Sequence, residues 1–405
     1  MIRRTVPQKT ISKESSLSGV GLHTGENVNL TFKPAPSNTG LMFIRDDING
    51  DNSIAAHIKF ISNTDRGTNL DNGVFRIHTS EHVLAALTGL DIDNCYICID
   101  GPEVPIMDGS SKFFIEALED AKIIEQNALR EEFIPSETIS FKCEDTGSNI
   151  SLIPDDNYRV DTKVDYDTKV LGTQTASISD ISDFKNEISS ARTFSFLHEL
   201  ETLLEHGLIK GGDLNNAIVY VDKPLADSNM DRLKKAFNKD SISVTPNGIL
   251  DNLRLHYPNE AARHKLLDVI GDLALIGMKI RGKVIAEKPG HAVNAKFAKM
   301  VSEVIKNDRK NVLPKLNFDK KPLMDSNQIM NVIPHRPPFL LIDEVLELSE
   351  SHVIGLRRVE ESESWVKGHF PGAPVMPGVL QVEFMAQAGG VLVLNTVPDP
   401  ENYLT

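Results

Sequence analysis

Glu260-Ala-Ala-Arg-His-Lys-Leu-Leu-Asp-Val-Ile-Gly-Asp272 reads as a helix. Pro258 is well placed to open it, and apolar residues recur behind it at helical spacing. His264 and Asp268 stand four residues apart, so one face carries an imidazole above a carboxylate. Asp272 lies one further turn down that face. Two ligand-type side chains at i and i+4 on a rigid element can chelate one divalent metal. A pair of this kind also suits a salt-bridged surface, and a third ligand with a base elsewhere in the chain separates the two readings.

Thr79-Ser-Glu-His82 supplies both, running into Val-Leu-Ala-Ala-Leu-Thr-Gly89. Thr79 or Ser80 is expected to cap a short amphipathic helix that stops at Gly89. Glu81 and His82 then sit in its first turn, held firmly and still accessible. A catalytic zinc takes three protein ligands and leaves a fourth position open. His82, His264 and Asp268 would make such a site, with Glu81 as its general base. Beyond the strand-like Lys283-Val-Ile-Ala-Glu287, the turn-forming Pro289-Gly290 is expected to present His291 on a loop as a candidate acid.

With 405 residues, 40% of them hydrophobic and 25% charged, the chain is globular and long enough for two or three domains. The formal net charge of −14 argues against nucleic acid and against a broad anionic membrane surface. No apolar run approaches the ~18 residues of a spanning helix, and Met1-Ile-Arg-Arg4 has no apolar stretch behind it, so a cytoplasmic protein is expected. Three cysteines imply a reducing compartment. Cys95-Tyr-Ile-Cys98 lies in a strand, where positions three apart face opposite ways, so the pair reads as buried small residues and not as a metal clamp.

Strands are expected at Asn27–Phe32 and Gly40–Arg45, with a helix over Phe113–Ala121. A restart near Arg130–Pro135 leads into strands at Ile139–Cys143, Asn149–Pro154 and Tyr158–Val164, then helices from about Ser195 and Asn259. The class is α+β. Residues 1–127 and 128–303 would form two subdomains, 304–325 a basic, proline-punctuated linker, and 326–405 a further domain.

Gly19-Val-Gly-Leu-His-Thr-Gly25, Thr79-Ser-Glu-His82, Pro105-Ile-Met-Asp-Gly-Ser110, Ala191-Arg-Thr-Phe194, Arg263-His-Lys-Leu-Leu-Asp268 and Gly290-His291 occur in this order. Together they closely resemble the zinc-dependent UDP-3-O-acyl-N-acetylglucosamine deacetylases of lipid A synthesis. The resemblance implies two similar layered α+β halves and Zn²⁺ on His82, His264 and Asp268. It makes Glu81 the base for water attacking the N-acetyl carbonyl, and His291, kept protonated by Asp272, the acid for the departing nitrogen. Thr193 would stabilise the oxyanion. Lys265 and His23 would meet the diphosphate of the UDP-acyl-amino-sugar substrate. Phe194 and the segment to about Tyr220 would line the passage for the acyl chain, whereas Asp108 reads as a structural turn residue.

Pro334-His-Arg-Pro-Pro-Phe-Leu-Leu-Ile-Asp343, Gly368-His-Phe-Pro-Gly-Ala-Pro374 and Pro377-Gly-Val-Leu380 resemble the (3R)-hydroxyacyl-[acyl-carrier-protein] dehydratases. A short helix, two strands and a long apolar helix from Val379 to about Thr396 are expected, as part of a hot-dog fold. His369 would be the base at Cα, Glu383 would handle the departing hydroxyl, and acyl carrier protein would deliver the substrate. In that family the two residues meet across a dimer, so a homo-oligomer is implied. The expected hot-dog domain is partial, with the helix face of Val379, Leu380, Phe384, Met385, Val391 and Leu392 partly bare. Two other functions fit less of the pattern: a zinc deacetylase of another amino sugar, and a non-catalytic scaffold that binds acyl carrier protein.

Overall fold

The computed structural model describes residues 2–65, 67–199, 216–222, 234, 243–246, 248–250, 253–311, 321–349, 352–373 and 375–398. The chain divides into two compact units, Met1–Val312 and Leu313–Thr405.

In the first unit, β1 (Ser15–Val20), β2 (Asn27–Pro34), β3 (Leu41–Arg45), β4 (Ser53–Ala55) and β5 (Cys95–Ile99) form a five-stranded sheet in the order β1-β2-β5-β3-β4. Its helices are α1 (Glu81–Gly89) and α2 (Lys112–Asp120). A second sheet repeats this plan. β6 (Ile139–Cys143), β7 (Ser148–Ile153), β8 (Tyr158–Asp165), β9 (Thr173–Ile178) and β10 (Gly282–Glu287) run in the order β6-β7-β10-β8-β9. Its helices are α3 (Glu260–Ala274) and α4 (His291–Asn311). In both sheets the central strand pairs antiparallel on one side and parallel on the other. A parallel neighbour requires a crossover connection, and α1 and α3 lie in those two crossovers.

Alternation decides which sheet face is covered. In β2, Val28, Leu30 and Phe32 are buried while Asn27 and Asn29 are exposed; in β8, Tyr158, Val160, Thr162 and Val164 are buried. One apolar core cluster runs through both halves. At its centre α1 packs on α3, and every residue of α1 is buried. The helices cross closely because α3 offers a glycine: a Cβ on Gly271 would lie 2.1 Å from the Glu81 carbonyl oxygen.

Three local expectations are corrected and one helix start is shifted by two residues. Neither Thr79 nor Ser80 caps α1: the Thr79 hydroxyl donates to Glu103 (2.9 Å) and that of Ser80 to the Thr68 carbonyl (2.8 Å). Phe194–Phe196 is a strand, parallel to Ile218–Tyr220, and the helix expected from about Ser195 begins just after it, at Leu197; the aromatic rings of the strand suit a pleated, half-buried surface. His291 opens α4 directly and is not a loop residue. Residues 304–311 continue that helix and are not linker, because Val301 and Ile305 bury its apolar stripe in the core. Residues 200–215 of the expected acyl passage and 312–320 of the expected linker lie outside the described residues.

The second unit is a three-stranded antiparallel sheet of Met324–Asp325, Glu344–Leu348 and Val353–Leu356, with the helix Ser326–Met330 and α5 (Gly378–Leu394). Asp325 and Gln328 form a reciprocal capping box on the shorter helix. α5 packs Ala388, Val391 and Leu394 against Ile329, Ile342 and Val345. Val391 is therefore core, contrary to expectation, whereas Val379, Val382, Met385 and Val393 are exposed. Among the described residues, no helix is long and apolar enough to cross a membrane.

Gly271→Ala should force α1 and α3 apart. A loss of about 1–3 kcal/mol, the usual cost of overpacking a dense core, is expected as a lowered urea midpoint. An unchanged midpoint would contradict the close crossing.

Candidate active site

The equivalent helices of the two halves supply one site. His82 stands in the first turn of α1; His264 and Asp268 stand one turn apart on α3. All three are buried, and one ligand atom from each lies within 4.8 Å of the others. The His82 and His264 rings meet edge to face at 5.0 Å. Their Nε2 atoms lie 3.9 and 3.4 Å from Asp268 Oδ1. That Oδ1 is buried without a hydrogen-bond partner, a costly arrangement for a carboxylate oxygen and the one a bound cation relieves. His264 Nδ1 donates to the Ala191 carbonyl at 3.0 Å, which leaves the Nε2 lone pair facing the gap. The donor set fits one divalent metal.

The Ala191 carbonyl is itself held in place. Arg192 and Glu260, both buried, pair at 2.9 Å, and Glu260 also accepts from the backbone N–H of Arg192 (3.1 Å) and of His256 (2.6 Å). This ties the segment before Phe194 to the first turn of α3. Removing one partner of such a pair costs about 3–5 kcal/mol, because the other charge is left buried.

Around the metal-ligand set lie the groups that can move protons. Glu81 Oε2 accepts from the Thr68 N–H at 2.9 Å. A Cβ on Gly67 would come within 3.0 Å of Glu81 Oε1, so glycine leaves room for the carboxylate. Burial pushes the Glu81 carboxyl up to about 7; His291 opposes the rise, while Asp272 and Asp268 add to it. His291 Nδ1 donates to Asp272 Oδ2 at 2.9 Å, and its Nε2 lies 3.9 Å from Asp268 Oδ2. Burial alone would lower the His291 imidazole, but Asp272 and Asp268 outweigh it and hold it up at about 9. Asp272 is fixed from three directions, since Thr68 Oγ1 and Asn294 Nδ2 (2.8 Å) also donate to it.

Lys265 Nζ pairs with Asp268 Oδ2 at 2.8 Å. Burial would raise the Asp268 carboxyl; Lys265 first, then His264 and His291, hold it far below the carboxylate range. His82 goes the other way from an ordinary imidazole: burial, then His264, takes it down to about 3, so it is neutral and able to ligate.

Phe194 belongs to an aromatic group. Its ring meets Tyr166 at 5.6 Å, Tyr220 at 5.7 Å and His264 at 6.5 Å, and Lys265 Nζ lies 5.7 Å from its centre. Thr193 is half-buried between Phe194 and Arg192, its N–H on the Gly109 carbonyl at 2.8 Å. The His23 N–H donates to Glu103, whose carboxylate also takes the Thr79 hydroxyl, two residues before Glu81. Asp108 accepts from the N–H and hydroxyl of Ser110, a local turn as expected. Burial raises Cys95 to about 12 and Cys98 to about 11, which leaves both as inert thiols. Thr68, Asn294 and Tyr166 had no motif to announce them; Arg192 and Glu260 lie within quoted stretches, but nothing local declares that they pair.

In the second unit Glu383 accepts from Gln387 Nε2 (2.9 Å), and His335 Nε2 lies 3.5 Å away. His369 packs against Phe370 at 4.3 Å. Among the described residues no hydrogen bond or ion pair joins His369 to Glu383, so the expected pair is not assembled within one chain.

Residues 8–237 and 225–303 match the family described as LpxC, UDP-3-O-acyl N-acetylglycosamine deacetylase. The chain belongs to that deacetylase family. Residues 333–403 match the FabA-like domain. The bifunctional enzyme LpxC/FabZ of Bacteroides thetaiotaomicron is 44% identical over 398 residues, 98% of this chain and 86% of that protein. The protein of the same name from Chlorobaculum tepidum is 44% identical over 396 residues, 96% of this chain and 84% of that one. The UDP-3-O-acyl-N-acetylglucosamine deacetylase of Myxococcus xanthus is 38% identical over 296 residues, 73% of this chain and 86% of that enzyme. This deacetylase is thus fused to a FabA-like domain, as in its bifunctional relatives.

The purified chain is expected to retain one divalent ion. His264→Ala should weaken retention by more than the 10- to 100-fold typical of losing an outer partner, read by elemental analysis after dialysis. Full stoichiometry in that variant would remove His264 from the ligand set.

Proposed function

We propose that the first unit hydrolyses the N-acetyl group of UDP-3-O-[(3R)-hydroxyacyl]-N-acetylglucosamine at a zinc site formed by His82, His264 and Asp268. The observation that carries this reading is the buried, unpartnered Asp268 Oδ1 facing two imidazoles, with a carboxylate and a protonated imidazole beside it. When bound, zinc supplies Lewis-acid polarisation of a carbonyl oxygen and acidifies water. Glu81 takes the proton of the attacking water on its carboxylate. His291, its Nδ1 anchored on Asp272, delivers the Nε2 proton to the departing amine. Without that proton an amine is a poor leaving group. The Thr193 hydroxyl donates to the developing oxyanion.

Lys265 supplies positive charge, and His23 a ring nitrogen, for the diphosphate on a protein of net charge −14. Phe194, with Tyr166 and Tyr220 around it, offers apolar surface to the acyl chain. We read 1–127 and 128–303 as the two halves and 326–405 as the further domain; the repeated sheets and the FabA-like match support this reading, with α4 carrying the second half on to Asn311. The proposed substrates, a UDP-sugar and an acyl thioester of acyl carrier protein, belong to the cytoplasm, and we assign the protein there.

For the second unit we propose dehydration of (3R)-hydroxyacyl thioesters of acyl carrier protein, with His369 as base and Glu383 at the departing hydroxyl. A second copy would supply the missing half of the pair. The separation of His369 from Glu383 within one chain, and the exposed Val379, Val382 and Met385 on α5, support assembly.

Acetate release from the acylated UDP-sugar should far exceed release from UDP-N-acetylglucosamine, and equal rates would favour a deacetylase of another amino sugar. The base must be ionised and the acid protonated. Activity should therefore rise as pH passes about 7 and fall as it passes about 9. Glu81→Gln should cost about 10²–10⁴-fold in kcat. A pH profile that is flat on the acid side in the wild type would overturn the role of Glu81. Dehydration should rise with the oligomeric fraction in the same sample, and equal activity in isolated monomer would refute assembly.

A further inference from the structure

Thr68 is fully buried, lies on neither helix, and uses every polar atom it has. Its N–H donates to Glu81 Oε2 at 2.9 Å. Its carbonyl accepts from the N–H (3.2 Å) and the hydroxyl (2.8 Å) of Ser80, where α1 begins. Its hydroxyl donates to Asp272 Oδ1 on α3, and the same oxygen lies 3.3 Å from His291 Nδ1 at the start of α4. One residue thus touches the carboxylate read as base, the imidazole read as acid and the aspartate between them. These groups come from both halves of the unit.

We propose that Thr68 is a positioning residue that sets the base and the acid relative to each other, a role that rests on reading Glu81 and His291 as those two groups. Asp272 Oδ2 already takes two hydrogen bonds, from His291 and Asn294. The Thr68 hydroxyl occupies the other oxygen, so the carboxylate cannot turn about its own axis and the imidazole cannot swing with it. A threonine suits this, because branching at Cβ restricts χ1 and holds the hydroxyl on one bearing. Gly67 allows the close approach of the preceding backbone to Glu81. Displacements near 1 Å in such an arrangement cost about 100-fold in rate, so a fixed hydroxyl matters to turnover even though it never meets substrate.

The test compares Thr68→Val, which keeps shape and loses the hydroxyl, with Thr68→Ser, which keeps the hydroxyl. Thr68→Val should lower kcat about 10- to 100-fold with KM, zinc content and melting temperature near wild type. Thr68→Ser should recover most of the loss. The downfield Nδ1–H resonance of His291, followed with labelled histidine, should move in the valine variant and return in the serine variant. Wild-type kcat in Thr68→Val, or losses confined to KM, zinc content or stability that serine does not repair, would overturn the proposal. A wild-type enzyme inactive on the acylated UDP-sugar would instead sink the functional reading. The His291 resonance needs no substrate and would then decide the positioning geometry alone.

Discussion

Everything at the centre of the first unit depends on burying charge without leaving it uncompensated. Glu81, Asp268 and Asp272 are carboxylates almost wholly removed from water, as is the imidazole of His264. An isolated buried carboxylate is prohibitively costly, so each of them needs a partner or must give up its charge. Asp272 is met by His291, Thr68 and Asn294; Asp268 by Lys265 on one oxygen only. Glu81 has a single backbone donor and is pushed toward the neutral form. Asp268 Oδ1, buried without a hydrogen-bond partner, faces two imidazole nitrogens. A divalent cation would satisfy all three at once.

The repeat explains how such a concentration of charge is built. Each half makes a sheet with one parallel pair, and each parallel pair requires a crossover helix. Those two helices, α1 and α3, bury their faces against each other. Their contact is close because Gly271 has no side chain, so Glu81 and His82 come down onto the stripe of His264, Asp268 and Asp272. Neither half has a complete site. Thr68 and Ser80 then tie the start of α1 to α3 through hydrogen bonds, and the Arg192–Glu260 pair does the same for the segment that carries the Ala191 carbonyl.

In the second unit, by contrast, the polar groups of α5 are satisfied locally. Gln387 bridges Glu383, the Phe339 carbonyl and the Leu341 N–H, so the helix is registered on the strand entry by a single amide. Val379, Val382, Met385 and Val393 of α5 are exposed, and its apolar anchorage comes from Ala388, Val391 and Leu394 with Phe384 beside them.

Much of this was legible in the residues. Helical spacing placed His264, Asp268 and Asp272 on one face, and the adjacent Glu81-His82 put a carboxylate beside an imidazole in a first turn. Alternation gave seven of the ten strands of the two five-stranded sheets and missed Ser15–Val20, Ser53–Ala55 and Thr173–Ile178, while Cys95 and Cys98 are buried as expected. What failed had physical causes. Side chains expected to cap α1 are drawn off by Glu103 and by the Thr68 carbonyl. The Phe194 segment pairs as a strand, because pairing depends on a partner far along the chain. Basic residues hid the apolar stripe that keeps 304–311 helical. The sequence by itself determined the ligand types and their spacing, because period and chemistry are local properties. Only the tertiary structure decided that two crossover helices meet at a glycine and that Thr68 joins Glu81 to Asp272 and His291, because those contacts link residues up to 223 positions apart.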